Sequence, residues 1–413
     1  MSPTNRINFS PVQGADKLFT SAFLEYLEAA HERFTPRVHE LRAKRAELLD
    51  KALNHGVMPG HPNRSPINID DWQVPSVPQD LMAAGIEISG PASITGMFIN
   101  ALNPGPDGSR AEGDLDDDED SGGHRLIDTV SAALNRLGAV ERTLVLDDRK
   151  RGRKYEIQEG PIPFFMHRER GLHLDEPEVT IDGQPVPAAI LGTALTLFYA
   201  GRAQMERKQG VYFYLPKLES TDEAAFYREF FDFSFDHLSL PTEGVIRAVV
   251  LVESLPAVYE MEEMLHALGS YAAGLNAARW DLKASILEYV MADPNSVWPD
   301  RFGVDIKTTD FLANIFRRLV AICLKRGAVP IGGMATALPD RDPEVNEAAA
   351  AAIRADKEWE AGQGFLRAWV AHIFHMDTAA KPFKDLRSSG WAPEAMTVAA
   401  SAWEPRPGVR PVT

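Results

Sequence analysis

The stretch from Val249 to Ala284, VVLVESLPAVYEMEEMLHALGSYAAGLNAARWDLKA, constrains the rest of the chain most. It holds two short apolar runs, each ending in a carboxylate. Val249 to Val252 runs into Glu253, and AAGLNAARW runs into Asp281. Between them AVYEMEEMLHAL reads as a helix, with Met261, Met264, Leu265 and Leu268 at helical spacing. Strand, helix, strand is one unit of a parallel α/β sheet. In barrels built from such units the C-terminal ends of neighbouring strands lie side by side and carry the chemistry. Two carboxylates there suit Mg²⁺, which takes oxygen ligands and keeps positions open for substrate. The same spacing also fits two unrelated acids, one capping a helix and one in a salt bridge.

A (β/α)₈ barrel takes about 250 residues, so a chain of 413 accommodates one barrel and an N-terminal region. The net charge of −16 argues against nucleic-acid or acidic-membrane partners. It still allows an anionic substrate at a local positive site made by a metal and a few arginines. The single cysteine, Cys323, falls inside the apolar helical pattern FLANIFRRLVAICLKR. It predicts a buried thiol, with no intrachain disulfide and no Cys-rich zinc site. The opening MSPTNRINFS has no apolar core of signal-peptide type, and no apolar run reaches membrane-spanning length. A cytoplasmic protein is expected. No P-loop, dinucleotide-type GxGxxG or Cys/His cluster competes with the metal reading.

Residues 1–80 are expected to form a helical clasp and linker: 16–55 read as helical, and 56–80 are rich in Pro, Asn and Asp. Residues 81–385 are expected to form the barrel, with a small β insertion near 176–190 turning at Asp182-Gly183. Residues 386–413 read as a tail. IEISGP reads as a strand and MFINALN as a helix. The run PGPDGSRAEGDLDDDEDSGGH is acidic and glycine-rich, and its composition reads as a solvated loop. Phe164 to Met166 reads as a strand. In AVPIGGM the pair Gly332-Gly333 suggests close approach of a ligand to the backbone.

Several segments carry a resemblance. GLNAARWD resembles the GLN-x-G-RWDY signature of A-type malate synthases, and VLVESLPAVYEMEEML resembles their ETLPAAFEMEEIL segment. VYFYLPKLES, AVPIGGM, the RADKEWEA helix and LRAWVAH are similar to further segments of that family, so the likeness runs from about residue 16 to 375. It implies an α/β (β/α)₈ TIM-type barrel, with Glu253 and Asp281 binding Mg²⁺. It implies a glyoxylate-like 2-oxo acid and an acetyl-CoA-like acyl-CoA as substrates, positioned by Arg279, Trp280 and Asp281 and their backbone amides. MHRERGLHL resembles the family's VRPRGWHL, which implies that Arg168 stabilises charge on the reacting oxygen, a role suited to a permanently charged planar donor. Laying DDEDS on the family's FEDS places Glu119 and Asp120 just behind the metal ligands. The apolar strand that should precede them is replaced by GSRAEGDL, which implies a broken second strand. Lys217 reads equally as an aid to CoA or metal ligands and as a structural ion-pair lysine.

The chain also departs from the family. Ser270, Tyr271, Ala278 and Leu282 replace signature residues, which implies a changed substrate pocket, and Leu172 replaces a Trp. The family's C-terminal helical domain, whose MEDAAT segment carries the Asp that deprotonates acetyl-CoA, is expected to be absent, because AWEPRPGVRPVT stands where it should begin. Four readings follow. A separate subunit supplies that Asp; or a local base such as Asp120, His173 or His372 serves a related C–C reaction; or the chain is a Mg²⁺-dependent lyase or aldolase on a 2-oxo or 2-hydroxy acid that needs no carbon base; or it is a non-catalytic binding protein.

Overall fold

Eight parallel strands close into one barrel: β1 Gly85–Gly90, β2 Gly113–Asp117, β3 Phe164–Arg168, β4 Val211–Leu215, β5 Ile246–Val252, β6 Ala272–Ala277, β7 Val329–Ala335 and β8 Arg367–Val370. Each pairs with the next, and β8 pairs back onto β1, so the fold is the expected (β/α)₈ barrel. The computed structural model describes residues 6–62, 66–241, 243–301, 303–306 and 308–389. Strands such as β5, IRAVVLV, are buried almost throughout because helices cover one face and the barrel interior the other. The interior is filled by Leu115, Met166, Tyr214, Leu251, Ile331 and Trp369, and Leu81 plugs its lower end. One acid lies inside as well. Glu87 accepts from Tyr214 Oη at 2.6 Å and Trp369 Nε1 at 3.1 Å and pairs with Arg367.

The acidic run is not a solvated loop, and the second strand is not broken. Residues Gly113–Asp117 form β2 with every residue buried, and Asp118 and Glu119 are buried beyond it. What makes this acceptable is Arg136, on the helix Leu126–Val140 and itself 2% exposed. Its guanidinium lies 2.6 Å from Asp116, 3.0 Å from Asp118 and 3.1 Å from Glu169. A buried carboxylate is tolerated when a paired cation offsets its desolvation. Composition alone cannot reveal a partner that arrives from another element. β3 likewise runs two residues beyond its expected end at Met166, to Arg168.

The clasp forms as expected, as helices Ala15–Leu18 and Ser21–His55. Thr20 caps the long helix by accepting from Phe23 N–H, and Gly56 ends it in a left-handed conformation. Phe34 packs edge-on against Phe226 and Phe230 of the helix Thr221–His237, and Tyr26 Oη donates to Ser234 at 2.7 Å. The following segment is held by Arg326, which donates to the carbonyls of Ile67, Asp70 and Trp72. The insertion is the hairpin Asp175–Ile181 with Gln184–Pro187, to which Ile7–Phe9 adds a third strand. Cys323 is fully buried, which pushes its thiol up. Residues 386–388 belong to the last helix, Met376–Ser388, and 390–413 lie outside the described residues. Among the described residues no helix is long and apolar enough to cross a membrane.

Arg136→Met should leave three buried acids without their cation and lower the stability of the fold by about 3–5 kcal/mol. Urea unfolding followed by far-UV circular dichroism reads this as a lower midpoint at pH 7.

Candidate metal and substrate site

The C-terminal ends of the strands surround a cleft of about 770 Å³. Glu253 is the residue after β5, Asp281 lies in the first turn of the helix Arg279–Val290 after β6, and Asp120 is on the loop after β2. Carboxylate oxygens of these three lie within 4.8 Å of one another. Arg168 ends β3 and Lys217 follows β4 by two residues. Met97, Met334, Ala335, Ile353 and Trp369 also line the cleft.

Glu253 is the most constrained of the acids. Its side chain is fully buried, Oε1 accepts from Lys217 N–H at 2.6 Å, and Oε2 has no hydrogen-bond partner. Burial pushes the carboxyl up to about 8; Lys217 pulls it down and Asp281 adds to the rise. The Lys217 ammonium stands among all three acids, 3.2 Å from Asp120 Oδ1, 3.3 Å from Asp281 Oδ2 and 3.6 Å from Glu253 Oε2. Burial opposes the charge on Lys217, but Glu253, Asp281 and Asp120 outweigh it and raise its pKa. Its main chain is left-handed, with φ of 54°, and is pinned on both sides, by Glu253 at its N–H and by Arg45 of the clasp at its carbonyl.

Arg168 is held by Asp117 in a two-pronged pair, Nε to Oδ1 at 2.7 Å and Nη2 to Oδ2 at 2.6 Å. Its third nitrogen, Nη1, lies 3.0 Å from Asp120, and its guanidinium sits 5.4 Å from the centre of the Trp369 ring. Asp117 also accepts from the backbone N–H groups of Glu119, Asp120 and Ser121 and from Ser121 Oγ. One carboxylate thus aims Arg168 and shapes the loop that presents Asp120. Burial would raise the Asp117 pKa, but Arg168 and these donors hold it at about 2.

Of the other residues singled out in the sequence, some line the cleft and some fall elsewhere. Glu119 parts from Asp120: its carboxylate accepts from Gly171 N–H at 2.6 Å, lies 3.5 Å from His173 Nε2, and does not line the cleft. His173 is lowered to about 4, first by burial and then by Arg45 and Lys217. His372 accepts from Phe374 N–H at the start of a short turn. Neither imidazole lines the cleft. Arg279 lines it, but its guanidinium is bound to Asp356 at 2.8 and 2.9 Å and to Glu360, both on the helix Pro343–Gln363. Trp280 is 42% exposed on the cleft wall, with Lys283 Nζ 4.1 Å from its ring centre.

The room beside Gly332-Gly333 is taken by protein rather than left for a ligand. A Cβ on Gly332 would meet the Glu360 carboxylate at 2.4 Å, and one on Gly333 would meet Arg279 at 3.0 Å. The departures in the signature are mostly remote from the cleft. Ser270 and Tyr271 precede β6 at its far end, where Tyr271 Oη donates to Asp232, and Leu282 is in the core. Of the four, Ala278 alone lines the cleft. Asp117, Asp356 and Glu360 were not singled out in the sequence; their roles depend on arginines from other elements, Arg168 at the end of β3 and Arg279 at the start of a helix.

Residues 164–398 match the family model described as "Malate synthase, TIM barrel domain". A malate synthase of Streptomyces clavuligerus is 39% identical over 362 residues, which is 86% of this chain and 65% of that protein. Malate synthase A of Escherichia coli K12 is 34% identical over 389 residues, 94% of this chain and 71% of that protein. This chain belongs to the malate synthase family. It spans about two thirds of the length of these curated malate synthases. Among solved structures, a citrate lyase beta subunit from M. tuberculosis, complexed with oxaloacetate and magnesium, is similar at 15% identity and a TM-score of 0.41, covering 74% of this chain and 100% of that one.

The folded-state pKa of Asp117 lies below its unfolded value, so its pairing stabilises the fold above about pH 4 and is lost as pH falls towards 2. Asp117→Asn should therefore cost about 2 kcal/mol at pH 7, with the difference from wild type shrinking at pH 3. Urea unfolding at the two pH values measures both.

Proposed function

We propose that this chain is the Mg²⁺- and 2-oxo-acid-binding barrel of a malate synthase-type enzyme, which joins glyoxylate to the acetyl group of acetyl-CoA in the cytoplasm. One observation carries the reading: the buried Glu253 carboxylate, with an unpartnered oxygen, faces Asp281 and Asp120 in a cleft that also holds Arg168. Such an oxygen cluster suits a hard divalent ion. When bound there, Mg²⁺ supplies Lewis-acid polarisation of the 2-oxo carbonyl and a template for its carboxylate.

The chain's own groups do the rest. The backbone N–H groups of Trp280 and Asp281 open the helix Arg279–Val290, and its positive end favours the carboxylate of the 2-oxo acid. Arg168, fixed by Asp117, donates to the oxygen on which negative charge develops as the C–C bond forms. Asp117 occupies Nε and Nη2, so Nη1, which meets Asp120 at 3.0 Å, is the nitrogen that exchanges that carboxylate for the reacting oxygen. The wall of Met97, Met334, Ala335 and Ile353 keeps water from the acetyl group before condensation.

The base in this reading is a carboxylate from a separate subunit or from a segment beyond the described residues. Two features support that. Of the carboxylates lining the cleft, Asp117 is paired with Arg168, Asp356 with Arg279, and Asp120, Glu253 and Asp281 with Lys217, so each already faces a cation of the protein. The segments after β1, β7 and β8 also expose Ile94, Met97, Leu338 and Phe374 around the mouth, an apolar rim of the kind partner surfaces cover.

Glyoxylate should quench the fluorescence of Trp280 and Trp369 only when Mg²⁺ is present, and Glu253→Ala should abolish the effect. With the base supplied, release of CoA thiol from acetyl-CoA and glyoxylate should fall about 10²–10³-fold in Arg168→Lys. Turnover by the chain alone would place the base among the carboxylates that line the cleft. Absence of Mg²⁺-dependent glyoxylate binding would overturn the reading.

A further inference from the structure

Lys217 occupies the place where the three acids converge. Three carboxylates within 4.8 Å repel one another unless a cation stands between them. The Lys217 ammonium is that cation here, 3.2–3.6 Å from an oxygen of each. A Mg²⁺ ion bound by the same three carboxylates would compete with the ammonium for their oxygens.

The way Lys217 is mounted separates what is fixed from what can move. Its peptide is clamped, N–H on Glu253 and carbonyl on Arg45, in a left-handed conformation that a lysine adopts only when its surroundings impose it. Its side chain is 22% exposed, on a flexible four-carbon stem beside the open cleft. The clamp delivers the stem to the acids, and the stem can carry the ammonium away. The unpartnered Glu253 Oε2 shows that the ammonium does not satisfy the site: at 3.6 Å the contact is too long for a hydrogen bond.

We propose that Lys217 is the built-in counter-cation of the metal-free site and is expelled when a divalent cation enters. Metal affinity is then the difference between the hold of two cations on the same three carboxylates. Lys217 keeps the acids together while the site waits, and it sets the metal concentration at which the site fills. This rests on the metal reading above.

The test uses the full chain and Mg²⁺ alone. By isothermal titration calorimetry Lys217→Met should bind Mg²⁺ at least tenfold more tightly than wild type, and Lys217→Arg, which keeps the charge, should not. In the absence of metal, Lys217→Met should melt at a lower temperature than wild type, with a larger rise on adding Mg²⁺. Removing a nearby charge would tighten binding even without expulsion, so a second readout is made on the wild-type protein. Reductive methylation of Lys217, followed by mass spectrometry, should be several-fold faster in saturating Mg²⁺, because the ammonium is released to solvent. Unchanged or slower labelling, or no gain in affinity in Lys217→Met, overturns the exchange and leaves the metal site standing. Failure of every form to bind Mg²⁺ overturns the metal reading and the exchange with it.

Discussion

The structure depends on how a few cations are spread among many buried or crowded carboxylates. Arg136 lies behind β2 and β3, Arg168 at the end of β3, Lys217 after β4 and Arg279 after β6, and each is bound to two or more acids. An ionised carboxylate removed from water without such a partner would cost several kcal/mol. β2, which carries three aspartates in five residues, exists as a strand because Arg136 and Arg168 meet Asp116 and Asp117. The charge pairs are therefore part of the fold before they are part of any chemistry.

The same pairs tie distant elements to the cleft. Arg45 of the N-terminal helix binds Glu223 and the carbonyl of Lys217, so the clasp reaches the acid trio through one residue. On the other side, Glu360 receives Arg279, the N–H of Gly333 and the ammonium of Lys357, which also donates to the Gly333 carbonyl. This joins the helix Pro343–Gln363 to the ends of β6 and β7, and so to the turn that carries Trp280 and Asp281. Misplacing a reacting group by even 1 Å is expensive in rate. Such bracing gives meaning to conventional-looking surface helices on both flanks of the barrel.

How much of this is legible in the sequence follows from how local each feature is. Glu253 and Asp281 can be read because each directly follows an apolar run, and strand ends in a parallel barrel converge. Arg168 is legible only through the resemblance, since an arginine after a short strand has no distinctive local pattern. β2 is misread because composition counts its acids and cannot see that Arg136 answers them from a later helix. The Gly332-Gly333 pair is misread for the mirror reason: a glycine pair signals close approach but not what approaches, and here it is Glu360 and Arg279. Lys217 can be read only as either an aid to the metal ligands or a structural ion-pair lysine; its place among the three acids depends on a left-handed backbone clamped by residues far away in the chain.

The charge balance also bears on the order of events in the cleft. Asp117, Asp120, Glu253, Asp281, Asp305 and Asp356 line it, in a chain of net charge −16. Arg168 and Arg279 are already matched by acids, and Lys217 is shared among three. A second anion, such as a 2-oxo acid, meets repulsion in that state, because the local cations are committed to residues of the protein. The acids must first acquire positive charge beyond what Lys217 supplies, and a divalent ion brings one unit more than the ammonium it displaces. The carboxylates that make the cleft hostile to an anion are thus the groups that can make it receptive, which argues for metal before substrate.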